Sequence, residues 1–226
     1  MKTPSRLPTI LTVFAAFAML ITVLGCEWPS LWLVYVFKPL ATLLIIAIAL
    51  QNWAYSKSAY SHWILIGLCL SLAGDVFLIW PNRYFLAGLA AFLLTHAAYL
   101  IAFTRGCRFP ASLPTWMVYL AVAAAFFMIL FPTLPAGLRV PVAAYAALLS
   151  TMAGQAMGRF LLRKSRSAQC AAIGALLFLL SDLLLAFHRF HRPLLYSAVL
   201  ILVPYYIGQW LIASSTAAVP PANQSL

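Results

Sequence analysis

The sequence predicts an all-α, polytopic integral membrane protein with eight transmembrane helices. Three observations carry that prediction. The 226 residues are 65% hydrophobic and have a mean hydropathy of +1.00, more apolar surface than a soluble core of this size can use. Only three of the residues are acidic. The apolar residues fall into eight runs, each near the roughly 20 residues that cross a bilayer core.

The first run, 7–24, follows Lys2 and Arg6 and has the outline of a signal peptide. It ends in Gly25-Cys26-Glu27 instead of an A-x-A cleavage site, and further spans follow, so it reads as the first span. The second, 31–50, follows Trp28-Pro29 and contains Lys38. The third, 62–80, closes on Trp80-Pro81-Asn82, and the fourth is 84–104. The fifth, 113–131, follows Phe109-Pro110, and Pro132 and Pro135 separate it from the sixth, 138–161. The seventh, 168–188, and the eighth, 194–213, are divided by Arg192-Pro193. Each proline stops a helix or starts the next. Pro204, inside the eighth run, is expected to kink it and free backbone carbonyls. Residues 1–213 thus form a single transmembrane domain, with 214–226 a polar, disordered tail.

The formal charge is +11. It does not point to nucleic acid, because the basic residues sit in short connectors and form no stripe interleaved with exposed aromatics. They instead face lipid head groups and set topology. Nine Lys and Arg lie on the side of the N-terminus: Lys2, Arg6, Lys57, Arg105, Arg108, Arg159, Arg163, Lys164 and Arg166. Four lie opposite: Arg83, Arg139, Arg189 and Arg192. The bias places both termini in the cytoplasm, and the short loops fit a bacterial inner membrane. Trp28, Trp32, Trp80 and Trp116 read as interface anchors. Asn223-Gln-Ser225 matches a glycosylation sequon on the cytoplasmic side, where it has no meaning.

The four cysteines, at 26, 69, 107 and 170, show neither CxxC nor Cys/His metal spacing. Cys69 and Cys170 read as packing residues. No GxSxG or HExxH occurs, and one intramembrane His with two Asp is sparse for zinc. No metal or other cofactor is expected.

Residues echo at an offset of 107: Ile66-Gly67 with Ile173-Gly174, Asp75 with Asp182, Leu78 with Leu185, and Tyr99 with Tyr206. Spans 1–4 would then repeat as 5–8. Because four is even, the halves would be parallel and related about the membrane normal.

The polar groups inside the spans can be placed by depth. Spans 3 and 7 run outward, and Asp75 and Asp182 lie five to six residues before their ends, roughly 8–9 Å below the outer boundary. Span 2 runs inward, with Lys38 roughly 10 Å deep. His96 lies near mid-membrane in span 4, with Tyr99 a turn below on the same face. Tyr145 lies in the outer half of span 6. Ionisable groups at such depths face the bundle interior or a wet cavity and pair there. One cluster in the non-cytoplasmic half accommodates them all. Ser71 and Ser181 read as interhelical hydrogen-bonding residues, whereas His62 reads as interfacial and His188 and His191 as solvated loop residues.

Burial favours a neutral carboxylic acid, and a nearby Lys favours the carboxylate. If Lys38 sits nearer one Asp, one acid stays protonated and the other ionised, the requirement for a general acid and base. Such a pair suits hydrolysis through an oxocarbenium-like cation. A proton-coupled transporter or lipid carrier would use the same groups as a relay, and a scaffold would use them for packing alone.

Six stretches then carry a resemblance: Lys38-Pro39; Gly67-Leu-Cys-Leu-Ser-Leu-Ala-Gly-Asp75; Phe85-Leu-Ala-Gly-Leu-Ala-Ala-Phe92; Thr95-His-Ala-Ala-Tyr99; Gly174-Ala-Leu-Leu-Phe-Leu-Leu-Ser-Asp182; and Tyr205-Tyr-Ile-Gly-Gln209. In this order they resemble the YhhN-like family of membrane proteins, whose characterised animal members are lysoplasmalogenases. The resemblance covers spans 2 to 8. It implies eight helices and hydrolysis of the vinyl ether bond of a lysoplasmalogen, a single-chain lipid substrate, to a fatty aldehyde and a glycerophospho-head group. The polar positions it implies are Lys38, Asp75, His96, Tyr99, Tyr145, Asp182, Tyr205 and Gln209, with Asp75 and Asp182 as the catalytic pair.

Overall fold

A computed structural model describes residues 7–27 and 31–217. They form eight α-helices and one short 3-10 turn: α1 (Leu7–Glu27), α2 (Leu31–Ser56), α3 (Ala59–Phe77), α4 (Pro81–Thr104), α5 (Leu113–Leu130), the turn Phe131–Thr133, α6 (Ala136–Arg163), α7 (Arg166–Phe190) and α8 (Ser197–Ser214). All eight are long and apolar enough to cross a membrane, and no strand occurs among the described residues. Lys2, Arg6, Trp28, the Asn223 sequon and most of the predicted tail lie outside the described residues.

Hydropathy locates each helix; local chemistry sets its ends. α3 starts three residues before its apolar run because Ser58 caps it, its hydroxyl accepting the Ser61 N–H. Ser165 caps α7 in the same way through the Ala168 N–H. α3 stops at Phe77, three residues before the run ends, and Pro81 opens α4 at its first position, where a missing N–H costs nothing. α8 starts at Ser197, three residues late, after Tyr196 turns the chain in a left-handed conformation.

The order of helix contacts in the first four helices recurs in the last four. α1 packs on α2, α2 on α3 and α3 on α4; α5 on α6, α6 on α7 and α7 on α8. Across the halves α4 meets α6 and α8 meets α2, a pair of contacts that exchange when the halves are swapped. α1 and α5 are peripheral in their halves, with apolar side chains such as Phe14, Phe17, Met117 and Met128 facing the lipid. The core comprises side chains such as Leu68, Tyr99, Phe103, Met152, Phe178 and Ile212.

Small residues bring the inner helices together, as expected where lipid removes the hydrophobic drive between helices. Gly174 of α7 and Gly208 of α8 face each other, and a Cβ on Gly208 would lie 2.8 Å from the Gly174 carbonyl oxygen. Gly208→Ala should therefore force the helices apart and cost about 1–3 kcal/mol. Thermal unfolding in detergent checks this, and an unchanged midpoint would show that the contact is not tight.

Two sequence expectations change. Cys69 does not pack in the core but is exposed on the lipid-facing surface. Arg159 is not a loop residue; it is buried in α6, with its guanidinium 4.5 Å from the Tyr60 ring centroid.

Candidate functional site

Asp75 sits in the last turn of α3, 1% exposed. α2 supplies two of its partners one turn apart on the same face. The Lys38 ammonium lies 3.8 Å from Oδ1, and the Thr42 hydroxyl donates to Oδ2 at 2.6 Å. α8 supplies the third, with the Tyr205 hydroxyl donating to Oδ2 at 2.7 Å. Asp75 thus faces one cation and two hydroxyl donors. Behind it the Gln209 amide donates to Tyr205 at 3.3 Å, and the Tyr99 hydroxyl donates to Gln209 Oε1 at 2.6 Å. The neighbouring Tyr206 ties α8 to α2 by donating to the Lys38 carbonyl at 3.2 Å.

Asp182, two turns from the end of α7, has different company. The Tyr145 hydroxyl of α6 donates to its Oδ2 at 2.6 Å, and His96 Nε2 lies 3.6 Å from the same oxygen. No Lys or Arg pairs with it among the described residues. His96 is fully buried, and its Nδ1 contacts the Phe92 carbonyl. A carbonyl only accepts, so Nδ1 carries a proton. His96 Nε2 has no hydrogen-bond partner, although it points at the carboxyl. In a neutral ring it is an acceptor, and it stands 3.6 Å from Asp182 Oδ2, just outside hydrogen-bond distance.

Both aspartates line one cavity of about 370 Å³ between α1, α2, α3, α4, α7 and α8. Lys38, Ser181 and Tyr205 share its wall. Beneath lies a floor of edge-to-face rings. Phe178 is 4.8 Å from His96, 5.3 Å from Tyr205 and 6.0 Å from Phe92, centroid to centroid.

The structure brings together Lys38, Asp75, Asp182, His96, Tyr145 and Tyr205. It sets Tyr99 and Gln209 behind Tyr205, away from the cavity wall. Ser181 reaches across to α8, donating to the Ile201 carbonyl at 2.8 Å. Ser71 makes no interhelical bond; it donates to Leu68 of its own helix at 2.9 Å, an option every helical serine has.

Three residues that the sequence reading passed over join the site. Thr42 lies four residues after Lys38, and that spacing was the available signal. His188 belongs to α7, not to a loop. It lines the cavity and accepts the Leu194 N–H at Nδ1, 2.9 Å away. Arg189 lines the same cavity and donates to Asn82 at 3.2 Å. Nothing in the sequence separates these two from the solvated His191 and Arg192 beside them. Lys38 and Tyr145 also stand 107 residues apart, and each contacts the aspartate within its own set of four helices.

Comparison with known proteins agrees with this architecture. The sequence model of the YhhN family matches residues 33–216. A Homo sapiens protein named lysoplasmalogenase TMEM86A is 38% identical over 156 residues, 67% of this chain and 64% of the relative. Lysoplasmalogenase TMEM86B of Rattus norvegicus is 31% identical over 179 residues, 78% of this chain and 71% of the relative. The uncharacterized membrane protein YhhN of Escherichia coli is 28% identical over 184 residues, 81% of this chain and 87% of the relative. The chain therefore spans just under two thirds of the length of the human TMEM86A relative. No solved structure matches it.

Proposed function

The chain belongs to the YhhN family, and from that premise we propose that it is a membrane-embedded ether hydrolase that cleaves the vinyl ether bond of lysoplasmalogens. One observation carries the proposal. Two carboxyl groups with unlike partners line a single cavity inside the bundle. The names of the relatives supply the substrate class.

The roles follow from the partners. Asp182 and His96 hold the transferable proton, and Tyr145 fixes the carboxyl. Asp75, beside Lys38, Thr42 and Tyr205, is the standing carboxylate. The acid gives its proton to the β-carbon of the vinyl ether, leaving an oxocarbenium ion on the ether side. The Asp75 carboxylate faces that cation and holds a water against it. The water attacks the cationic carbon, and its proton returns to Asp182. The hemiacetal then breaks its bond to the glycerol oxygen, its hydroxyl proton passing to that oxygen. The products are a fatty aldehyde and a glycerophospho-alcohol, and the net change consumes one water. Lys38 also sits where a head-group phosphate can reach it.

The test is aldehyde release, followed by mass spectrometry, from lysoplasmalogen incubated with purified protein. Transport into liposomes without chemical change would overturn the proposal. Tyr145→Phe, which deletes one hydroxyl donor to Asp182, should lower kcat about tenfold to a hundredfold. An unchanged kcat would remove Tyr145 from the machinery.

The charge bias supports an inner-membrane orientation with both termini in the cytoplasm. The cavity then opens toward the non-cytoplasmic leaflet. Alkaline phosphatase fused after Leu226 should be inactive in a bacterial host; an active fusion would reverse the orientation.

A further inference from the structure

We infer that a narrow apolar slot between α4, α5, α6 and α7 holds the hydrocarbon chain of the lipid next to the reacting bond, and that Ala146 and Ala186 keep it open. This rests on the vinyl ether proposal above and adds the part of the molecule that recognises the chain.

The slot is a second cavity, about 70 Å³ against about 370 Å³ for the polar one. Its wall is almost wholly apolar, with Phe126 of α5, Ala146 and Leu149 of α6, and Leu183 and Ala186 of α7 among its side chains. The two spaces share part of their wall, including Phe85, Asp182 and Arg189. Asp182 is the one carboxyl group common to both. A molecule filling both must be polar at one end and apolar at the other, with the join at Asp182. In a vinyl ether lysolipid that join is the O–CH=CH unit itself. The head group then lies with Lys38, His188 and Arg189, where a phosphate finds cations and donors.

The slot is kept open by small side chains, two of which are Ala146 and Ala186.

The test compares two substrates on Ala146→Phe and Ala186→Phe. One is a long-chain lysoplasmalogen; the other has the same head group and vinyl ether with the chain cut to a few carbons. With the slot filled, kcat/KM for the long chain should fall about tenfold or more, the equivalent of losing the burial of roughly two methylenes. The short-chain value should stay within about twofold of wild type, because the reacting groups are untouched. Activity on the short chain also reports that the variant is folded. Equal falls on both substrates in both variants, or no fall on either, would overturn the inference.

If the wild-type protein releases no aldehyde from either substrate, the vinyl ether proposal fails first. The slot is then tested alone with a non-cleavable single-chain alkyl-ether lysolipid carrying a diazirine near the start of its chain. Labelling of the peptide around Ala146–Leu149, suppressed by excess unlabelled lysolipid, supports the slot; unsuppressed labelling or none overturns it.

Discussion

Replacing Asp182 by Asn should reduce aldehyde release from lysoplasmalogen about 10²–10⁴-fold, the usual contribution of a positioned general acid. The amide is nearly isosteric and can still accept the Tyr145 hydroxyl, so the bundle should unfold at an unchanged temperature. What it lacks is a proton it can give up and regain. His96→Asn should lose activity for the same reason, since Asp182 would no longer share its proton with the ring. Full activity in folded Asp182→Asn would remove the two-carboxylate mechanism, whatever the other variants do.

The second large effect concerns Asp75. Asp75→Asn should lose about 10²–10³-fold in kcat, as expected for removing charge aimed at a developing cation. Lys38→Met should behave differently, because it leaves Asp75 buried with no cation. That change should destabilise the fold by about 3–5 kcal/mol. Joining the two as Lys38→Met with Asp75→Asn should recover most of the stability and none of the activity. Thermal unfolding and aldehyde release on the four proteins separate the outcomes. A double variant that is stable and active would mean that the pair serves packing alone.

How much of this is legible in the sequence differs by layer. The eight spans are, because lipid demands about 20 apolar residues for each crossing and this chain leaves little between them. The inner polar cluster is legible too, because Lys38, Asp75 and Asp182 stand alone in long apolar runs and their depths can be counted. Pairing is not. Nothing in the sequence shows that Lys38 turns to Asp75 while Asp182 receives Tyr145 and His96, since that choice depends on which helices touch. His188 and Arg189 are hidden for another reason. A basic residue in the last turn of a span has the same composition whether it lines a cavity mouth or meets water. Ser71 shows the reverse error, where a hydroxyl that could bridge helices closes on its own backbone. The offset of 107 is legible at Asp75 and Asp182 but not at Lys38 and Tyr145, which contact them through unlike chemistry.

The ring floor beneath the cavity has a consequence for the energised membrane. Ionisable groups inside a bilayer threaten to short-circuit a proton gradient. Here the rings of Phe92, Phe178, Tyr205 and His96 pack edge to face beside the cavity, and one hydrogen-bonded chain leads away from it, from Asp75 through Tyr205 and Gln209 to Tyr99. Its third member is an amide, which does not readily take up and pass on a proton as a hydroxyl or carboxyl does. If the proposed acid chemistry operates in an energised membrane, that amide would interrupt proton passage along this chain.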